Sequence, residues 1–239
     1  MDSKSESKSI TEFSSIITFL IVFGITLIFV IFFLRRKSSK RGVLLTGLCD
    51  SGKTLIFAQL VHGKYTSTQT SMKENLGDYL VKNVTLRLID IPGHERLRDR
   101  FFDQYKSVAR GIMYVVDSVT LQKNVKDAAE CLYNILSECM GLNNLSVLII
   151  CNKQDLPLAK TSTVVKSMLE KELNALRITK SSQLESVDQK TNKAKMIGKV
   201  GENFNFSHLP FDVKFVEASV SSEHKNTNDM EMWLTTLCS

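Results

Sequence analysis

Residues 47 to 54 read Gly47-Leu48-Cys49-Asp50-Ser51-Gly52-Lys53-Thr54, and this G-x-x-x-x-G-K-T spacing constrains the chain more than any other stretch. The apolar run before it (Val43, Leu44, Leu45) suits a strand, and Leu55 to Val61 after it suits a helix. Strand, Gly-rich loop and helix in that order make a phosphate-cradling P-loop. Gly47 and Gly52 accept backbone angles that let successive N–H groups turn toward an anion. The helix that follows adds the positive end of its dipole. Lys53 is then placed to reach terminal phosphates, and the Thr54 hydroxyl suits a Mg²⁺ ion. The competing reading is a Gly-rich turn that matches by chance, and the companion motifs downstream weigh against it. Candidate nucleotide contacts are therefore Gly47, Leu48, Cys49, Asp50, Ser51, Gly52, Lys53, Thr54 and Leu55.

Asp90-Ile91-Pro92-Gly93 closes a later apolar strand, about 40 residues on. An acid at a strand end, on the edge where phosphates sit, suits water-mediated coordination of Mg²⁺. Gly93 lets its backbone N–H approach a γ-phosphate. Asn152-Lys153-Gln154-Asp155 follows the strand Ser146 to Cys151. The Asp155 carboxylate can accept from both N1–H and the 2-amino group of guanine. Adenine lacks both donors and would leave the acid buried and unpaired. The Lys153 stem can cover the base, and Asn152 can brace the pocket. After the last strand comes Glu217-Ala218-Ser219-Val220, where Ser219 and a Val220 N–H reaching guanine O6 complete the base site. An ordinary polar turn is the plain reading of each motif alone, and their order argues for a nucleotide site.

Beyond residue 42, strand and helix patterns alternate, which predicts an α/β, doubly wound, mostly parallel six-stranded sheet of the P-loop NTPase type. Strands are expected at Gly42–Thr46, Tyr79–Val81, Val84–Asp90, Ile112–Asp117, Ser146–Cys151 and Val213–Glu217. Helices are expected at Lys53–Val61, Leu97–Val108, Leu121–Met140, Ser162–Leu176 and Asp229–Leu237. Residues 179–207 are rich in Ser, Lys, Thr and Asn with little periodicity, and read as a long mobile surface insertion within a domain spanning 42–239.

Ahead of that domain, Phe13 to Leu34 is 22 residues without a charge. As a helix it is about 33 Å long, against a hydrocarbon thickness of about 30 Å, so one transmembrane helix is expected. A signal peptide would carry its basic residues before a shorter apolar core. Here Arg35, Arg36, Lys37, Lys40 and Arg41 follow the span, while residues 1–12 sum to −1. The positive-inside rule then places the short N-terminal tail on the lumenal or outer side and the P-loop domain in the cytosol. Residues 35–41 form a basic juxtamembrane linker suited to anionic headgroups. Of the net charge of +6, this cluster supplies +5, leaving the domain close to neutral. Direct nucleic-acid reading is therefore disfavoured. Five cysteines, an odd number without C-x-x-C pairing, read as reduced thiols.

The ordered set GLCDSGKT, DIPGHE, NKQD and EASV resembles the small Ras-superfamily GTPases, nearest the Arf and Sar branch. Together with the span, and with TQTS and MLEKELNALRIT, it is similar to the beta-subunit family of signal-recognition-particle receptors. The resemblance implies a single-pass endoplasmic-reticulum membrane protein that binds GTP and Mg²⁺. It also implies docking of the receptor's alpha subunit as a heterodimer in a GTP-dependent way, for co-translational targeting near ribosome and translocon. An Arf/Sar-like trafficking GTPase recruiting coats or tethers is the alternative, which the span opposes. By the same resemblance Thr68, Gln69, Thr70 and Ser71 form switch I, with Thr70 completing the Mg²⁺ shell beside Thr54 and Asp90. The residues alone also permit Thr66 or Thr68 in that role. His94 stands where many such GTPases have glutamine, and reads either as a water-orienting catalytic residue or as a loop residue packing on a partner. Asp50 adds negative charge near the phosphates. Intrinsic hydrolysis is expected to be slow at most.

Overall fold

The computed structural model describes residues 22–27, 42–65, 71–142, 144–186, 196–199, 201–221 and 225–238. The chain divides into two units, 1–39 and 40–239. In the first, residues 22–27 are helical, and the Thr26 hydroxyl donates to the Phe23 carbonyl at 2.9 Å. Among the described residues no helix is long and apolar enough to cross a membrane. The expected span 13–34 lies largely outside them, as do the tail 1–12 and the linker 35–41.

Among the described residues the second unit has eight strands and five α-helices. The strands are β1 (Gly42–Thr46), β2 (Asn75–Val81), β3 (Val84–Asp90), β4 (Ala109–Asp117), β5 (Ser146–Asn152), β6 (Asp212–Glu217), β7 (Ser219–Val220) and β8 (Lys225–Asn226). The helices are α1 (Lys53–His62), α2 (Glu95–Tyr105), α3 (Leu121–Cys139), α4 (Ser162–Ser186) and α5 (Asn228–Thr236). The first six strands form one sheet in the order β2-β3-β1-β4-β5-β6. Only β2 runs antiparallel to its neighbour, joined to β3 by Lys82 and Asn83, both at positive φ as a tight hairpin turn requires. β7 and β8 make a separate small ladder.

The strand sequences are unbroken apolar runs because both faces of the sheet are covered. Along β1, Val43 and Leu45 face α1 and α5 with Ile56, Phe57, Met230 and Trp233. Leu44 faces the opposite layer with Phe102 of α2, Leu132 of α3 and Leu169 of α4. Each such fully buried leucine contributes about 2 kcal/mol.

Two boundaries differ from the sequence reading by four residues or more, while β4 starts three residues early, at Ala109, and α2 runs from Glu95 to Tyr105 rather than from Leu97 to Val108. β2 begins at Asn75, not Tyr79. Gly77 and Asp78 have poor strand propensity, but a Cβ at Gly77 would press on Val61 and Phe57, so glycine allows α1 to lie close to this edge strand. α4 runs ten residues past Leu176, to Ser186. Its extension has little apolar periodicity and is held by polar contacts instead. Lys180 sits 4.4 Å from the Tyr133 ring centroid and donates to Asn134 at 3.0 Å. The stretch 179–207 is thus not wholly a surface excursion. Besides the end of α4, it includes Ile197, Phe204 and Phe206, all buried in the core beside α4. Residues 187–195 and 200 lie outside the described residues.

Candidate functional site

The parallel strands β1, β3, β4, β5 and β6 deliver their C-terminal ends to one edge of the sheet, where open α/β sheets place ligands. After β1, Gly47 has φ 139° and Gly52 φ 93°. A Cβ at Gly47 would run into the Val115 carbonyl, and one at Gly52 into the Asn152 amide. Both glycines are therefore dictated by space as well as by angle. Asp50, at φ 59°, holds the turn between them. α1 opens at Lys53 without a side-chain cap, which leaves its first N–H groups available to a ligand, and its first residues line a cleft. That cleft, about 180 Å³, is walled by Cys49, Lys53, Thr54 and Leu55 on one side and by Ser71 and Gly93 on the other.

Lys53 is buried, and its ammonium donates to the Leu48 carbonyl at 2.6 Å. Burial pulls its pKa below the ordinary lysine value, opposed by the nearby Asp90 charge. A Cβ on Gly93 would lie 2.7 Å from that ammonium and 2.8 Å from the Cys49 amide nitrogen. Only glycine fits there, and it brings the chain after β3 against the P-loop.

Asp90 is 1% exposed. Its Oδ2 accepts from the Thr54 hydroxyl at 2.8 Å and from the Asn75 amide at 2.9 Å. Thr54 and Asn75 also approach the Ser71 hydroxyl, at 3.3 and 3.4 Å. Burial raises the Asp90 pKa, with the bonds from Asn75 and Thr54 and the charge of Lys53 working against it. Its Oδ1 is buried and has no hydrogen-bond partner among the described residues. A buried carboxylate oxygen without a partner, beside threonine and serine hydroxyls, is an all-oxygen donor set that fits a hard divalent cation such as Mg²⁺.

Further along the same sheet edge, Asn152 donates to the Ser51 carbonyl at 2.8 Å and so ties the end of β5 to the P-loop. Its Oδ1 is buried and unpartnered among the described residues. Lys153, at φ 67°, places its ammonium 2.8 Å from Asp117 Oδ2. The Ser219 hydroxyl donates to Asp155 Oδ1 at 2.7 Å, which orients an otherwise exposed carboxylate. Val220 is buried beside it in β7. The Gln154 N–H donates to the Ala218 carbonyl at 3.1 Å, sewing the two loops together.

Of the residues expected from the sequence, Gly47 to Leu55, Ser71, Asp90, Gly93, Asn152, Lys153, Asp155, Ser219 and Val220 all lie along this edge. Thr68, Gln69 and Thr70 lie outside the described residues. His94 is exposed next to Gly93, and its carbonyl starts α2 by accepting from the Leu97 and Arg98 N–H groups. Two neighbours went unnoticed in the sequence, Asn75 and Asp117. Asp117 carries the same signal as Asp90, an acid ending an apolar strand. Asn75 had no signal, because its strand was expected to begin later.

The family model described as the signal recognition particle receptor beta subunit matches residues 38–213. The chain belongs to that family. Receptor beta subunits from Mus musculus and Homo sapiens are both 44% identical to it over 229 residues, covering 92% of this chain and 85% and 84% of theirs. A family member from Saccharomyces cerevisiae is 29% identical over 200 residues. The fold is similar to a solved structure of the mammalian SRP receptor, 43% identical with a TM-score of 0.74, covering 82% of this chain and 100% of that one. It is also similar to an SRb-GTP/SRX complex from Chaetomium thermophilum, at 21% identity and a TM-score of 0.64, covering 82% and 97% of the two chains. In this beta-subunit family member, the P-loop, the Asp90 turn and the 152–155 loop follow strand ends at one edge of the sheet.

Proposed function

We propose that this chain binds GTP with Mg²⁺ and, in that state, holds the alpha subunit of the signal recognition particle receptor at the endoplasmic-reticulum membrane. The observation that carries the reading is the convergence of a phosphate loop, a buried metal-facing carboxylate and a serine-oriented Asp155 along one sheet edge. Lys53 and the first N–H groups of α1 would hold the β- and γ-phosphates. Thr54, Asp90 through water, and Thr70 would hold the ion, which offsets phosphate charge when bound. Asp155 would accept from guanine N1–H and the 2-amino group, with Lys153 covering the ring. Gly93, pressed against Lys53 and Cys49, is where a γ-phosphate would be sensed and relayed to α2. Hydrolysis would be slow without help, with His94 as the residue to orient water. Family membership supports the partner. In the fungal relative, SRb with GTP is found in complex with SRX.

The 13–34 segment would anchor the chain with its domain cytosolic, an arrangement that resists carbonate extraction at high pH. The functional test is capture of the alpha subunit by the full chain in detergent, loaded with GTP, loaded with GDP, or stripped. Capture in the GTP state at least tenfold above the others is expected. Equal capture in all three states would overturn the docking role.

A further inference from the structure

Asp117 ends β4, and its two oxygens have different tasks. Oδ1 accepts from the backbone N–H groups of Val119 at 2.9 Å and Thr120 at 3.3 Å, closing the turn into α3. Oδ2 meets the Lys153 ammonium at 2.8 Å. Asp117 is register partner to Asn152, so the acid stands beside the strand end from which Lys153 departs. Lys153 leaves that strand in a left-handed backbone conformation, and its side chain is tied at the tip. The chain around the pair is stitched as well. The Ser118 N–H donates to the Asn152 carbonyl at 3.2 Å, the Lys160 N–H to the Ser118 carbonyl at 3.0 Å, and Gln154 to the Ser118 hydroxyl at 3.1 Å. The Asp117 side chain is 12% exposed and that of Lys153 33%. Burial alone would raise the acid's pKa, but the Lys153 ammonium and the Val119 amide outweigh it and hold the carboxyl below its usual range. With the ammonium fixed, what Lys153 offers the cleft is its four-carbon stem, a flat apolar surface.

We propose that Asp117 is a positioning residue for the base site: it anchors Lys153 so that the stem covers the purine, and so sets how long the nucleotide stays, not which base is chosen. This rests on the guanine-nucleotide reading above. Asp155 selects; Asp117 retains.

The test is the release rate of fluorescent mant-GDP from the full chain in detergent, for wild type, Asp117→Asn, Asp117→Ala, Lys153→Met and the Asp117→Asn/Lys153→Met pair. Asparagine keeps an oxygen for the Val119 and Thr120 amides but no charge for the ammonium, while methionine keeps the stem without its anchor. Asp117→Asn and Lys153→Met should each speed release about tenfold, as loss of one charge-assisted hydrogen bond implies. The double variant should be no faster than either single one, and the guanine-to-xanthine preference of Asp117→Asn should match wild type. Slow release from Asp117→Asn together with fast release from Asp117→Ala would reduce the residue to a turn former and overturn the proposal. Wild-type release from Lys153→Met, additive effects in the pair, or an altered base preference would overturn it equally. Wild type that binds no mant-GDP would instead overturn the reading of the site itself.

Discussion

Two polar regions of the domain are built to opposite rules. At the ligand edge of the sheet, Thr46 Oγ1, Asp90 Oδ1 and Asn152 Oδ1 are buried without partners among the described residues, and Lys53 and Asp90 are both shifted toward their neutral forms by burial. Arg177, on α4, is comparably buried, and both terminal nitrogens of its guanidinium have acceptors. It donates to the Lys199 carbonyl at 2.7 Å, to Asn174 at 3.1 Å, and to the Glu202 carbonyl. Asn174 in turn accepts from the Phe204 N–H at 3.0 Å. Among the described residues His208 Nδ1 is also buried there without a partner, while its other nitrogen reaches Glu202 at 3.5 Å. The contrast teaches where to look for function. A clasp supplies its donors with acceptors internally, whereas a binding edge holds polar atoms in readiness and carries the cost in stability.

Lys53→Met breaks the comparison most strongly. Losing two charge-assisted bonds to phosphate should cost about 4 kcal/mol, near a thousandfold in GTP affinity by calorimetry. Because burial holds Lys53 below its usual pKa, its charge opposes folding at neutral pH, and the opposition fades as pH rises through the lowered folded value. The nucleotide-free variant should therefore melt no lower than wild type. Arg177→Ala is its mirror image. Stranding two backbone carbonyls and Asn174 should cost about 3 kcal/mol, a melting-temperature drop of roughly 6–12 °C, with GTP affinity unchanged. Lysine at 177 should not restore it, since it lacks the planar fork.

Asp155→Asn sharpens the picture at the base end. GTP affinity should fall about a hundredfold while xanthosine triphosphate gains, measured by competition. Retained guanine preference would remove Asp155 from that role. The smallest effect concerns Asp117. Its folded pKa lies below the ordinary 3.8, so its contribution is complete at neutral pH and lost only as pH falls through the folded value. The melting-temperature gap between wild type and Asp117→Asn should be constant from pH 7 to 5 and close below about pH 4.

Much of the cleft was legible because its chemistry is local. The P-loop, the Asp90 turn and the 152–155 loop each pack their signal into four to eight neighbouring residues, and apolar strand runs fix where they emerge. The sheet followed from the same runs. Asn75 was not legible, since its link to Asp90 depends on an antiparallel register between β2 and β3 that puts the two residues opposite each other. Arg177 was not legible either. Its carbonyl partners sit 22 and 25 residues away, in a stretch whose polar composition hid the buried Ile197 and Phe204. Backbone carbonyls leave no mark in a sequence. The extra length of α4 escaped for a related reason, because lysine over a tyrosine ring holds it in place of an apolar stripe.

The central claim is that Asp155 and Lys53 serve one ligand, a guanine nucleotide. Calorimetric titration of the full chain in detergent with GTP and ATP, both with Mg²⁺, addresses it directly. The account predicts one GTP per chain, bound at least a hundredfold more tightly than ATP, with Lys53→Met abolishing the signal. ATP bound as tightly as GTP, or GTP binding untouched by Lys53→Met, would contradict it.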